Sequence, residues 1–355
     1  MTRERMLKEA PKSSICPLIS VVVVNYNSGP HLAACLRSVA DSTYPRKELI
    51  IVDNASKDDS ITQVQALYPD AEMVRNRVNL GYSGAGNIGI AKARGEFVVL
   101  LNPDTIVDER WLEELVDAAA RYPRAAFFQP KILLMDDHSI LNSAGNMIHV
   151  AGFGICRGIG TLDDGRFEKE VQVCYASGAC TFARREALRE IGPMDRLFFA
   201  YGEDKDWGWR GLMMAWQSMY IPSSIVLHKW SPVLGHSAEK LYLLEFERLL
   251  SIWKNYCQRT LLILAPLLLL VEASVLIHAT FRGWLAEKLR SYSDLFRVRK
   301  AVARERRSIQ ARRVIHDGAV VRNFVAEIEH PYVGSVAPIL NGLVVWIFSR
   351  LKASI

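Results

Sequence analysis

An α/β fold with a mixed, mostly parallel sheet flanked by helices, and a helical carboxy-terminal appendage, is what this chain predicts. Three observations predict it. Short β-branched apolar runs alternate with helical stretches between Ile19 and Leu101, three of the first four runs end in Asn/Asp clusters, and the composition changes beyond Tyr256. Strands alternating with helices at this spacing call for right-handed crossovers and parallel neighbours, so the polar run ends collect on one edge of the sheet.

Residues 1–17 are charged and polar, an expected flexible arm without a secretory leader pattern. Ile19 to Val24 reads as the first strand and ends in Asn25-Tyr26-Asn27-Ser28-Gly29-Pro30, with a helix from about His31 to Ser42. Glu48 to Val52 is the second, ending in Asp53-Asn54-Ala55-Ser56, with a helix running to about Tyr68. Ala71 to Arg75 is a shorter third strand. Asn79 to Gly89 then leads into a helix ending near Gly95. Gly81, Gly84, Gly86 and Gly89 lack the spacing of a dinucleotide fingerprint and follow the third strand rather than the first; no Walker A sequence occurs. The run reads either as turn chemistry or as a small-residue loop that lets backbone amides approach a nucleotide.

Glu96 to Leu101 is the fourth strand. It stops at Pro103, because proline cannot donate to a ladder and keeps Asn102 out of the helical region. Asp104 therefore stands at the carboxyl end of a central strand, where open α/β sheets bind ligands. It reads either as the cap of a helix starting near Glu109 or as a carboxylate holding a cation against a bound phosphate.

Trp111 to Arg121 reads as a helix and Ala125 to Leu134 as a strand. Asn142 to Arg166, rich in glycine, suits a loop or a mobile hairpin flap. Gln172 to Ala183 reads as one strand leading into a short helix from Arg185 to Ile191. After Gly192-Pro193-Met194-Asp195, the stretch Phe198 to Arg210 sets Glu203, Asp204 and Asp206 among aromatics at a helix start. Acids there complement the helix dipole; aromatics around them also make a dry pocket, which raises a carboxylate toward the range of a general base.

Together these stretches resemble the inverting family 2 glycosyltransferases. The resemblance rests on six motifs in order: Val23-Val24-Asn25-Tyr26-Asn27, Val52-Asp53-Asn54-Ala55-Ser56, Asn79-Leu80-Gly81-Tyr82 with Asn87-Ile88-Gly89, Leu101-Asn102-Pro103-Asp104, Gly192-Pro193-Met194-Asp195, and Tyr201-Gly202-Glu203-Asp204-Lys205-Asp206-Trp207. It covers about residues 18 to 255, and the Asn-Pro-Asp and Gly-Glu-Asp-x-Asp-Trp forms resemble the rhamnosyltransferase-like branch. It implies a GT-A fold, a nucleotide-sugar donor and a divalent cation, Mg²⁺ or Mn²⁺. By motif, it implies that Tyr26 packs on the nucleobase and that Asp53 accepts from it. Asn79, Gly81 and Asn87 would line the nucleotide, Asp104 would hold the metal on the donor diphosphate, and Asp204 would deprotonate the acceptor hydroxyl. Asn102 and Glu203 belong to the same donor- and acceptor-shaping set. Trp207 and Arg210 would shape the acceptor and diphosphate sites, or pack and pair at the surface.

The sequence departs from the family pattern in two places. Asn102 stands where the usual Asp-x-Asp has its first acid, which leaves one charge for the cation. His228, before Lys229-Trp230-Ser231, is either a further metal ligand or an ordinary strand-end histidine.

The 355 residues suffice for one large domain, expected over 18–256, plus a helical region over 257–355. Six cysteines form no C-x-x-C pair and read as reduced thiols rather than a disulfide frame or zinc site. The net charge of +6 is concentrated between Arg282 and Arg313, where eleven Lys/Arg meet three acids. Without an aromatic-interleaved recognition motif this basic stretch does not point to nucleic acid. Leu261 to Thr280 has spanning length but carries Pro266, Glu272 and His278, and a span would put the basic stretch across the membrane from the catalytic domain. A re-entrant or interfacial segment is therefore preferred to a single span or a buried soluble helix. The basic helices would lie on anionic lipid, with Val336 to Phe348 as a second apolar contact. The combined expectation is a membrane-associated enzyme, monotopic or peripheral at the cytoplasmic face. It would move a sugar, rhamnose or another hexose, from a nucleotide donor to a lipid-linked saccharide. A polyprenyl-phosphate sugar synthase, a silent scaffolding homologue and self-association of the chain stay open.

Overall fold

Strands β1 (Ile19–Asn25), β2 (Lys47–Asp53), β3 (Glu72–Arg75) and β4 (Phe97–Leu101) lie side by side in the order β3-β2-β1-β4, all parallel. The computed structural model describes residues 16–229, 237–327 and 337–355. Residues 1–15 of the expected arm, Trp230, Ser231 and Val336 lie outside the described residues. Helices α1 (Pro30–Asp41), α2 (Ser60–Gln65) and α3 (Gly81–Lys92) make the crossovers. Every residue of β1 and of β4 is buried, as parallel strands covered on both faces require. The parallel arrangement sends Asn25, Asp53, Asn102 and Asp104 to one edge, as the alternation predicts.

The sheet then changes direction. β5 (Thr105–Val107) and α4 (Trp111–Arg121) precede β6 (Ala125–Leu134), β7 (Leu141–Ser143), β8 (Asn146–Ile148), β9 (Gly154–Cys156) and β10 (Val171–Val173). β11 (Cys180–Arg184), α5 (Arg185–Ile191), α6 (Glu203–Met213) and β12 (Gln217–His228) complete this half. β11 runs antiparallel between β4 and β6, β12 lies parallel to β6, and β5 and β10 pair antiparallel with β12.

Three expectations are corrected here. The glycine run is not a loop: from Gly81 onward it lies inside α3. The helix is pressed onto the sheet and the following turn, so that a Cβ on Gly89 would stand 2.2 Å from Val22 Cγ1, and one on Gly86 2.6 Å from Met194 Cε. Asn142–Arg166 is not a free flap, because Leu141 to Ser143, Ile148 and Val150 are buried and His149 bridges to Val325. The single strand expected over 172–183 is split into β10 and β11 by a turn at 176–179, whose groups are used in the site.

The carboxy-terminal helices pack onto the sheet domain. They are α7 (Ala238–Asn255), α8 (Gln258–Phe281), α9 (Leu285–Arg297), α10 (Arg299–Arg312), α11 (Asp317–Val320) and α12 (Ala337–Leu351). Leu264, Leu267 and Val271 of α8 share a core with Trp209, Tyr256, Phe324, Val344 and Phe348. α8 is continuous over 24 residues through Pro266. Glu272, the acid that counted against a span, reaches sideways to Arg248, Lys288 and Tyr292. The basic stretch is likewise not all free for lipid. Lys288 is buried against Glu245, while Arg306 and Arg313 donate to the last carbonyls of α7, where cations complement the helix dipole.

Candidate active site

The exits of β1 and β2 are tied together before any ligand is considered. Asn25 Nδ2 donates to Asp53 Oδ1 at 3.0 Å, Ser56 Oγ at 3.1 Å and Ser60 Oγ at 2.9 Å. Asn54 is a second hub. Its Oδ1 accepts from Asn76 Nδ2 and from the Leu80 amide, and its Nδ2 donates to Asn79 Oδ1 at 2.7 Å and to the Gly81 carbonyl. Asp53 and Asn79 are thus held within a rigid polar edge, while Tyr26 stands 45% exposed at its rim. An exposed aromatic beside such an edge has a free face for stacking.

Gly81 is required on two counts. Its φ is +70°, and a Cβ would lie 2.4 Å from the Phe199 carbonyl oxygen. That closeness lets the Tyr82 amide donate to Phe199 O at 2.8 Å and docks the loop before α6 against the start of α3. Tyr201 and Gly202, at φ 71° and 70°, then turn the chain into α6 with Glu203 and Asp204 in its first turn.

Asp204 accepts from the Gly178 amide at 2.9 Å and from the Lys205 amide at 2.7 Å. The same 176–179 turn accepts the Asn102 amide at the Ala179 carbonyl, 2.9 Å, and takes the Tyr82 hydroxyl at the Gly178 carbonyl, 2.8 Å. One turn therefore connects the end of β4 to the start of α6. Burial raises the Asp204 carboxyl above the usual range, and these amide bonds and Lys205 oppose the rise. Glu203 is pushed up to about 8 by burial and by Asp204, and its Oε2 is buried without a partner. Glu247 of α7, 2% exposed, is raised well above normal by burial and then by Glu203; among the described residues neither of its oxygens has a hydrogen-bond partner. Lys205 donates to the Gly152 carbonyl at 2.7 Å, and burial lowers it to about 8.

Asp104 lies across the turn from this group. Its backbone carbonyl accepts from the Lys229 amide at 2.9 Å, because β5 and β12 pair Thr105 with His228. That pairing brings His228 Nε2 to 3.5 Å from Asp104 Oδ1. On the ring's other side Nδ1 lies 3.1 Å from Asn142 Oδ1. A neutral ring with its proton on Nδ1 would turn the Nε2 lone pair to Asp104 Oδ1, a buried oxygen without a hydrogen-bond partner among the described residues. Two such acceptors suit a shared divalent cation completed by ligand oxygens. Among the described residues no third His, Cys, Asp or Glu joins them. Tyr82, raised first by burial and then by Glu203, Asp204 and Asp104, lies within reach of both acidic groups.

Three expected site residues are turned elsewhere. Asn87 donates to the Met194 carbonyl at 2.8 Å and accepts from the Met194 amide at 3.0 Å, so its side chain is spent on the 192–195 turn. Trp207 and Arg210 are not at the surface. Trp207 Nε1 donates to Gly192 O at 2.9 Å, and Arg210 donates to Ile191 O and Pro193 O and pairs with Asp206 at 2.8 Å. They support the turn rather than presenting free groups. Asp206 also meets Lys254 at 3.2 Å and Asn255 at 3.0 Å; the Lys254 and Arg210 cations, with the Asn255 hydrogen bond, hold its carboxyl down at about 2 despite burial. Sequence reasoning missed Gly178, Lys205, Glu247 and Lys254. Only Ser177-Gly178, a small pair inside an apolar run, carried a signal.

Comparison with known proteins accords with this geometry. Residues 20–192 match the profile of glycosyl transferase family 2. An N-acetylglucosaminyl-diphospho-decaprenol L-rhamnosyltransferase from Mycobacterium tuberculosis is 32% identical over 234 residues, 59% of this chain and 76% of the relative. Two solved structures share the fold. GalNAc-T7 with UDP, GalNAc and Mn²⁺ has TM-score 0.57 at 17% identity, covering 70% of this chain and 49% of its own. The mannosyltransferase PcManGT from Pyrobaculum calidifontis, with GDP-Man and Mn²⁺, has TM-score 0.51 at 16% identity, covering 99% and 91%. The chain is a glycosyltransferase of GT-A fold and belongs to glycosyl transferase family 2.

Proposed function

We propose that this enzyme transfers a hexose, rhamnose foremost, from a nucleotide-sugar donor to a lipid-linked saccharide by a single inverting displacement at a membrane surface. The observation that carries the reading is the placement of Asp204 and of the Asp104–His228 pair on either side of the 176–179 turn. Tyr26 would stack on the nucleobase and Asp53 would accept from it, while the edge built on Asn54 and Asn79 holds that part of the cleft. Asp104 and His228 would hold Mg²⁺ or Mn²⁺. Such an ion, when bound, neutralises charge gathering on the departing diphosphate. Asp204, oriented by the Gly178 amide, takes the proton of the acceptor hydroxyl as that oxygen attacks the anomeric carbon. A single displacement from the opposite face inverts the configuration.

The relative's acceptor, an N-acetylglucosaminyl-diphospho-decaprenol, supports a lipid-linked acceptor here. So does α8, whose Leu262, Leu269, Ile277 and Phe281 form one exposed stripe while its opposite side is packed. A helix with that division lies along the bilayer interface with its apolar side in lipid, giving a monotopic enzyme at the cytoplasmic face. The test is a panel of nucleotide sugars read by nucleoside diphosphate release in the presence of membranes. Asp204→Asn should abolish release that depends on acceptor; transfer at the wild-type rate would overturn the role given to Asp204.

A further inference from the structure

A cavity lies one strand, β9, away from Asp204, the proposed base, and neither the donor nor the proposed chemistry uses it. It has a volume of about 760 Å³, within the roughly 300–1,000 Å³ range of small-molecule sites. β9 connects it to the site. At one end a Cβ on Gly154 would meet Tyr175 Oη and Lys205 Cδ, at 2.5 and 3.6 Å, and at the other Cys156 lines the cavity and feels the charge of Asp204. The walls are apolar and come from distant parts of the chain: Ile155 and Phe167 from the sheet domain, Val325 from the segment after α11, and Val345 from α12.

The polar groups in the cavity are unevenly charged. Arg157 donates Nε to the Ala144 carbonyl at 2.8 Å and lies 5.3 Å from the ring centroids of both Phe167 and Tyr220. Among the described residues no carboxylate pairs with it, and burial lowers its affinity for the proton. A half-buried guanidinium on aromatic faces with no acid partner is a site for an anion. Arg166 adds a second guanidinium at the rim, paired with Asp164 at 2.8 Å, and Glu327 is the carboxylate on the lining. An apolar cavity with a guanidinium at its sheet end and a wall from α12 suits a molecule with an anionic head and an apolar tail. α12 packs on the buried side of α8, and its own Leu343 and Trp346 are exposed.

We infer that this cavity binds the isoprenyl diphosphate of the acceptor, its diphosphate on Arg157 and Arg166 and its first isoprene units against Ile155, Phe167, Val325 and Val345. The inference rests on the lipid-linked acceptor proposed above. It makes the saccharide reach toward Asp204 along β9 while the tail leaves toward α12 and the bilayer.

Farnesyl diphosphate is the probe, titrated calorimetrically into the full chain in detergent without donor. The wild type should bind it. Arg157→Ala should weaken binding about tenfold to a hundredfold, as loss of a charged hydrogen-bond partner does, and Arg157→Lys should weaken it less. Inorganic diphosphate and farnesol should each bind far more weakly than the joined molecule. Three results overturn the assignment: equal binding of inorganic diphosphate, displacement of the probe by phosphatidylglycerol vesicles at comparable lipid concentration, or unchanged affinity in Arg157→Ala. Sugar transfer is read separately. A chain that glycosylates a lipid-linked saccharide yet fails to bind farnesyl diphosphate keeps the proposed function and loses this cavity. One that binds it yet glycosylates no lipid-linked saccharide keeps the cavity and loses the acceptor.

Discussion

His228 Nε2 stands 3.5 Å from Asp104 Oδ1, brought there by the pairing of β5 with β12. With Asn102 in the position of the family's first acid, the proposed cation needs a second ligand, and this histidine would supply it. His228→Ala should raise the Mn²⁺ concentration needed for half-maximal nucleoside diphosphate release about tenfold or more, the scale on which loss of a group around a metal acts. An unchanged metal titration would remove His228 from the site.

Acidity gives a second prediction. A base must be ionised, and burial lifts Asp204 above the usual carboxylate range. Transfer should therefore rise with pH through an apparent pKa above that of a free aspartate, measured as kcat/KM from pH 4 to 8. A limb at the ordinary value would show that Asp204 is not the group titrating.

Glu203 controls stability in the opposite sense. Burial pushes its carboxyl up to about 8 in the fold, against an ordinary 4.5, so between those values the folded chain holds a proton that the unfolded chain has lost. Stability should fall as pH rises through that window, and Glu247, raised for the same reason of burial, adds to the slope. Glu203→Gln should flatten part of it, raising Tm at pH 8 relative to the wild type while changing it little at pH 5. A parallel pair of Tm profiles would disprove the assignment.

Asp206 is the sole carboxylate on Arg210 and one of two on Lys254 among the described residues. Asp206→Asn strands a buried guanidinium and should cost about 3–5 kcal/mol in denaturant unfolding. A loss below about 1 kcal/mol would mean that solvent reaches this network.

Gly89 separates packing from nucleotide binding. Its Cβ would overlap Val22 Cγ1, so Gly89→Ala should destabilise by about 1–3 kcal/mol and leave the donor KM unchanged. Adding Val22→Ala should recover part of the loss. A raised donor KM without lost stability would restore the glycine run to the nucleotide site.

Much of this was legible in the linear chain because it depends on local rules. The apolar runs ending at Asn25, Asp53 and Pro103 specified parallel strands and the edge on which the acids gather, since strand ends follow from where β-branched residues give way to turn residues and proline. The order of six motifs specified the family. The same reading located Asp104, Asp204 and His228, although it left each with a structural alternative.

Tertiary structure decided the rest, because those features depend on residues far apart in sequence meeting at short range. Nothing near Gly178 in the chain announces that its amide holds Asp204, 26 residues later. Trp207 and Arg210 look like site residues beside Asp204, but their side chains are spent on the carbonyls of the 191–193 turn. Glycines suited to a loop became a helix face once Val22 and Met194 came within reach. Composition determined that α8 is apolar; only packing decided which of its sides is buried and which remains exposed, because a side chain's exposure is set by its neighbours in space.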